Sequence, residues 1–302
     1  MGYRWRNTKG NITYQYDFLD LNYVSMPWIS ETFKRDYLDN TTNRNAILKY
    51  NYEDLFIMKM GFGFTYTDPL NSLKVNVETA GNLLYGLANI FNFPKNEDGN
   101  YEAFLIAFAQ YAKTDIDYTR LIHLDENRPS FLLALHGRIG VAVPYANSSI
   151  LPFEKRYFSG GANSVRGWSV RTLGPGRYRQ YDGRIDFINQ TGDMKIDLNA
   201  ELRGNLFWKF QGAFFIDAGN VWTLRDYPDQ PGGLFKITSL WKEMAVAYGI
   251  GLRMNFDYFV LRLDLGMKAV NPSYETSKEH FPLIHPRFSR DYALHFAVGM
   301  PF

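Results

Sequence analysis

The last twelve residues of the chain, DYALHFAVGMPF, keep an unbroken period of two. Tyr292, Leu294, Phe296, Val298, Met300 and Phe302 are apolar or aromatic, while Asp291, Ala293, His295, Ala297, Gly299 and Pro301 are small or polar. Such a period places one set on each face of a β-strand, whereas a helix would mix the two sets. The pattern recurs upstream. Phe259, Leu261, Leu263, Leu265 and Met267 alternate with Val260, Arg262, Asp264, Gly266 and Lys268. Met194, Ile196, Leu198, Ala200 and Leu202 alternate with Lys195, Asp197, Asn199, Glu201 and Arg203. Comparable runs cover Phe56–Tyr66, Phe131–Val143 and Trp208–Asp217.

Counted together, these runs predict ten strands, near 10–18, 52–67, 73–82, 106–123, 130–144, 193–205, 207–222, 243–254, 258–268 and 291–302. Many reach about ten residues, the length at which a tilted strand crosses a bilayer. A soluble β-sandwich would show similar strands one by one, so the connections discriminate better. Counting back from the C-terminus, long segments (269–290, 223–242, 145–192, 83–105, 19–51) alternate with short ones (255–257, 205–206, 124–129, 68–72). Short turns at one end and long loops at the other are the pattern of outer-membrane barrels. The fold class expected is therefore all-β, a transmembrane antiparallel β-barrel. If the last strand ends in the periplasm, the 145–192 loop lies on the extracellular side, and a loop of that length is usually functional.

Composition narrows the chemistry. Aromatics make up 17% of the chain, with 24 Phe, 21 Tyr and 6 Trp, as wide two-sided sheets or membrane girdles require. Mean hydropathy is −0.30, and no apolar run is long enough for a membrane helix. The net charge of +2 and the lack of a basic run argue against nucleic acid as a partner. Cysteine is absent, which removes disulfides, thiol nucleophiles and cysteine metal sites. Five histidines are present, and their spacing fits solvated loop or inner-wall positions rather than a metal site. No G-x-S-x-G elbow accompanies the inward His136 and His295, so catalysis is not expected. No cofactor is implied. Gly61-x-Gly63 and Gly249-x-Gly251 lie inside alternating strands and read as smooth inner-wall strips or bends, not phosphate loops. Residues 27–38 and 81–91 show helical spacing and are expected to belong to loops capping the barrel.

The long loop contains FSGGANSVRGWSVRTLGPG, Phe158 to Gly176. Gly160-Gly161 followed by Val165-Arg166-Gly167-Trp168, then Glu201-Leu202-Arg203, then Phe215-Ile216-Asp217-Ala218-Gly219 on the following strand, resemble the BamA/TamA superfamily of outer-membrane assembly and translocation barrels, also described as bacterial surface-antigen proteins. Gly249–Arg253 and Leu261–Gly266 continue the match, which is strong over 153–302 and moderate over 45–150. The resemblance implies that the 145–192 loop folds back through the lumen and that Arg166 meets inner-wall acids, with Asp217 the preferred partner and Glu201 a second. Parity agrees, since both acids lie opposite the apolar set, where a carboxylate attracts the planar fork of an arginine. Phe296, Val298, Met300 and Phe302 resemble the family's C-terminal strand signal.

The resemblance further implies sixteen strands and an N-terminal array of periplasmic POTRA domains. The ten strands here correspond to the last ten, so the whole of 1–302 is expected to be the C-terminal part of such a barrel, with the periplasmic domains absent and Met1 a truncation point or mis-called start. The function implied is insertion or translocation of other proteins at the Gram-negative outer membrane, by a scaffold without catalysis. Partners would be outer-membrane lipids, unfolded β-barrel or surface-protein clients and accessory envelope subunits. The alternative is a passive outer-membrane pore or receptor barrel.

Overall fold

The computed structural model describes residues 2–24, 54–96, 99–126, 130–179, 189–256 and 258–302. The segment 27–38, for which helical spacing was noted, lies outside them. The chain opens with β1 (Gly2–Lys9), β2 (Ile12–Val24), β3 (Leu55–Thr67) and β4 (Asn71–Ala80), followed by helix α1 (Asn82–Phe91). A short hairpin, β5 (Glu102–Ala103) with β6 (Ile106–Ala107), precedes β7 (Tyr111–His123) and β8 (Leu132–Pro144). After the long loop come β9 (Met194–Phe207), β10 (Phe210–Trp222), the one-turn α2 (Leu240–Glu243), β11 (Ala245–Phe256), β12 (Phe259–Val270), the one-turn α3 (Ser277–His280) and β13 (Tyr292–Val298). Among the described residues eleven strands form one sheet in the order β1-β2-β3-β4-β7-β8-β9-β10-β11-β12-β13, so each pairs with the next in sequence except that β4 pairs with β7 across the separate β5–β6 hairpin. The pairs β1–β2, β2–β3, β9–β10, β10–β11, β11–β12 and β12–β13 are antiparallel.

This is one strand more than the alternation indicates. In GYRWRNTK the polar set is strongly basic and the aromatic set stops after Trp5, so no clean dyad marks β1. The strand is nonetheless secured by Gly10, at φ +58° in the tight turn to β2, and by ring contacts of Tyr3 with Phe18 and Trp5 with Tyr16. The run expected as a single strand over 106–123 begins as the β5–β6 hairpin, and its ladder strand starts only at Tyr111.

Two compact units divide the chain. One comprises 1–66, 74–116 and 140–156. Its apolar core packs Leu84 and Ala88 of α1 against Met58, Ala103 and Phe108, with Phe93 and Tyr101 at the margin. α1 is the helix whose spacing was visible at 81–91, and its residues Leu84 and Ala88 stand one turn apart on its buried face.

The other unit comprises 67–73, 117–139 and 157–302. Here burial is inverted relative to a soluble protein. Ile250, Leu294 and Phe296, on outward faces, are 61%, 61% and 70% exposed, whereas Glu201, Asp217 and Arg253, on the inner face, are 0% exposed. A soluble sandwich would bury the apolar set; a sheet whose outer face meets lipid leaves it uncovered and turns its charges inward.

Candidate functional site

The inner face of β9–β12 brings charged side chains together through the strand register. Asn199 stands opposite Asp217, Glu201 opposite Phe215, Gly251 opposite Asp264 and Arg253 opposite Arg262. Two arginines directly opposed would repel. Carboxylates relieve this: Arg253 Nη1 donates to Asp264 Oδ1 at 2.5 Å and Nη2 to Glu201 Oε1 at 2.9 Å. Arg203 Nε also reaches Glu201 Oε1, at 2.8 Å, and Arg262 Nε lies 3.4 Å from Asp264 Oδ2.

Arg166 enters this wall from the long loop. Its Nε and Nη2 donate to Asp217 Oδ2 and Oδ1, both at 2.8 Å, in a bidentate fork. Nη1 donates to Glu201 Oε2 at 2.5 Å, and the backbone N–H of Arg166 reaches Asp217 Oδ2 at 3.1 Å. Below the fork the guanidinium carbon lies 3.5 Å from the centroid of the Phe215 ring, which adds a cation–π contact. Burial alone would lower the pKa of this guanidinium; the hydrogen bond and charge of Asp217, with the charge of Glu201, raise it instead. Asn199 Nδ2 donates both to Asp217 Oδ1 and to the Ser164 carbonyl, so one amide braces the acid and the loop at 2.8 Å each.

The backbone around Arg166 is seated as tightly as its side chain. Gly160 and Gly161 adopt φ of +89° and +93°, conformations open to glycine, and the N–H of Gly161 bonds the Trp168 carbonyl at 2.8 Å to close the turn. On the wall, a Cβ at Gly266 would overlap the Arg166 carbonyl, so β12 needs a residue without a side chain there. Gly167 lies against Ala247 and Lys268. Val165 and Trp168 are buried with Leu173, Ala245 and Ala247, and the Lys268 ammonium lies 5.3 Å from the Trp168 ring. His295 of β13 completes the seat, its Nε2 lying 2.9 Å from the Arg166 carbonyl oxygen. Glycine at 249 serves a related purpose, leaving room for the Phe215 ring beneath the guanidinium.

The residues singled out from sequence, Gly160, Gly161, Val165, Arg166, Gly167 and Trp168, thus lie in one loop turn, with Asp217 and Glu201 against it. Arg203, Arg253, Arg262, Asp264 and Asn199 were not assigned roles from sequence. Their inward parity was readable, and Arg253 and Asp264 sit in two of the matched motifs; what parity does not tell is which carboxylate each arginine reaches.

The C-terminal strand requires a correction. The alternation predicts a strand over 291–302 with Phe296, Val298, Met300 and Phe302 on one outward face. Phe296 and Val298 are outward and exposed, but β13 ends at Val298. Gly299, at φ +94°, turns the chain, and Pro301 has no N–H for a ladder. Phe302 consequently lies on the inner side, its ring stacked 4.9 Å from that of His136 and 5.4 Å from the Arg203 guanidinium. His136 is itself held by Asn199 Oδ1 at 2.8 Å and Asp117 Oδ2 at 3.4 Å. Among the described residues no group of histidine and acidic side chains converges as metal ligands would.

In the first compact unit the beginning of the same loop has its own anchor. Lys155 Nζ lies 2.8 Å from Glu78 Oε1 of β4, which also accepts from the Tyr111 hydroxyl at 2.5 Å. Lys59 Nζ reaches the other oxygen of Glu78 at 3.3 Å, and Lys113 Nζ donates to the Lys155 carbonyl at 3.1 Å.

A family model of the Omp85 superfamily domain matches residues 5–302. The outer membrane protein assembly factor BamA of Neisseria meningitidis serogroup B is 34% identical over 109 residues, which are 33% of this chain and 13% of that protein. Among solved structures, BamA from Haemophilus ducreyi lacking POTRA domains 1–3 aligns with 98% of this chain and 60% of its own, at 14% identity and a TM-score of 0.47. CdiB from Acinetobacter baumannii aligns with 80% of this chain and 33% of its own, at 14% identity and a TM-score of 0.45. The chain therefore spans less than two thirds of each of these relatives.

Proposed function

This chain belongs to the Omp85 superfamily, and we propose that it serves to insert or export other outer-membrane or surface proteins, as a barrel scaffold without catalysis. It is an integral β-barrel protein of the Gram-negative outer membrane. The observation that carries the reading is the seating of Arg166 in the Asp217–Glu201 pair. A loop with this many glycines gains a fixed path along the inner face through one buried, bidentate ion pair and its surrounding bonds. Desolvation offsets much of the attraction in such a pair, so its contribution is position more than stability. We assign Gly160, Gly161, Val165, Gly167 and Trp168 to the turn that presents Arg166, and Phe296 and Val298 to the outward face of the strand that clients would meet.

The test uses the full-length protein in cells depleted of the native copy. Arg166→Ala should lower the abundance of unrelated outer-membrane β-barrels while the variant itself accumulates normally. Unchanged client levels at normal variant levels would overturn the reading, and increased solute flux alone would favour a pore.

A further inference from the structure

At the long-loop end of the second unit, the outward face of the sheet meets the loops in a cavity of about 660 Å³. Its floor is a row in direct register: Leu198 opposite Ala218, Ala218 opposite Val246, and Val246 opposite Val270. These residues share the face of Ile216 and Ile250, 49% and 61% exposed, so the floor continues the lipid-facing band. The rim comes from the loops. Trp241 of α2 is 80% exposed, an aromatic at the strand ends where membrane girdles lie. Beside it stand Lys242 and, from the long loop, Arg177, both exposed. Neither makes an ion pair among the described residues. His280 is turned by a bond between its Nδ1 and the Tyr274 carbonyl at 3.1 Å, and Glu275 is the acidic residue of the lining.

We propose that this cavity binds an anionic, phosphate-bearing lipid of the leaflet at the long-loop end, with an acyl chain along the Leu198–Val270 row and the phosphate toward Arg177 and Lys242. The volume falls in the range of roughly 300–1,000 Å³ spanned by small-molecule sites. The floor suits a hydrocarbon chain, and two cations without carboxylate partners among the described residues suit a phosphate at the membrane surface. A water-soluble ligand matches the rim but not the floor. The inference rests on the barrel's placement in the outer membrane and is independent of the assembly role.

Native mass spectrometry of the full-length protein, released from detergent after incubation with dimyristoyl phosphatidylglycerol or dimyristoyl phosphatidylcholine, tests it. The wild type should retain phosphatidylglycerol in preference to phosphatidylcholine. The double variant Arg177→Glu/Lys242→Glu should lower that retention on the order of tenfold. Ala218→Trp, which fills the floor, should abolish it, while Ile250→Trp, on the same face outside the cavity, should not. Heat-modifiable gel mobility verifies that each variant remains a folded barrel. Equal retention of both lipids, wild-type retention in the charge-reversed or Ala218→Trp variants, or loss in Ile250→Trp would each overturn the proposal.

Discussion

The imidazole Nε2 of His295 lies 2.9 Å from the carbonyl oxygen of Arg166, so the last strand of the sheet holds the backbone of the loop residue whose side chain grips the preceding wall. The geometry requires the Nε2–H tautomer as donor. His295→Leu should loosen the turn without unfolding the sheet. A lost neutral hydrogen bond is worth about 1 kcal/mol, which corresponds to several-fold faster amide exchange over 158–173. Exchange unchanged there would show that the bond contributes nothing to the seat.

Arg166→Ala takes from buried Asp217 its arginine partner while Glu201 keeps Arg203 and Arg253, and breaking a buried pair costs roughly 3–5 kcal/mol. Arg166→Lys keeps the charge but loses the fork, and should fall between wild type and alanine. Pairing Arg166→Ala with Asp217→Ala should recover part of the loss, because the coupled term is removed once rather than twice. Urea midpoints in micelles give all three values; additive losses would mean that the two side chains do not act together.

Gly266→Ala places a methyl group where the Arg166 carbonyl lies, whereas a Cβ at Gly204 meets only ordinary contact with Phe131. The first substitution should raise tryptic cleavage at Arg171, and the second should leave it alone. Equal cleavage in both would refute the close-approach argument.

Glu78→Gln keeps the shape of the anchor at the loop's start but leaves Lys155 and Lys59 facing a neutral amide. The expected loss is about 1.5–3 kcal/mol, as for bonds to charged groups, with Tyr111→Phe costing about 1 kcal/mol. Thermal melts of the two variants should rank in that order.

Asp291 makes the loop before β13 sensitive to acid. Burial would raise its pKa, but hydrogen bonds from the Arg290 side chain and the Arg287 N–H outweigh it, and the pKa is lowered. A lowered carboxylate stabilises the folded loop above its unfolded value, near pH 4, and that stability is lost as pH falls through the lower folded value. Proteolysis at Arg287 and Arg290 should therefore rise below about pH 4 in the wild type and vary less with pH in Asp291→Asn.

Much of this was legible in the alternation. A period of two fixes which residues share a face, so it places Asp217 and Glu201 inward, and the resemblance matches Arg166 of the glycine-rich loop to them. Parity cannot report the stagger between strands or the path of a loop. For that reason the reach of Arg253 to both Glu201 and Asp264, and the bond from His295 to Arg166, emerged only in three dimensions. At the C-terminus the pattern misled. The alternation runs on through Gly299 and Pro301, yet a ladder also needs N–H groups and negative φ, and these two residues supply neither in full.

Arg203, Arg253 and Arg262 face Glu201, Asp217 and Asp264, three charges of each sign, before Arg166 is counted. Within this cluster the charges balance, and Arg166 adds one positive charge to it. Arg166→Gln removes that charge, so the reversal potential across a salt gradient should shift away from anion selectivity relative to the wild type.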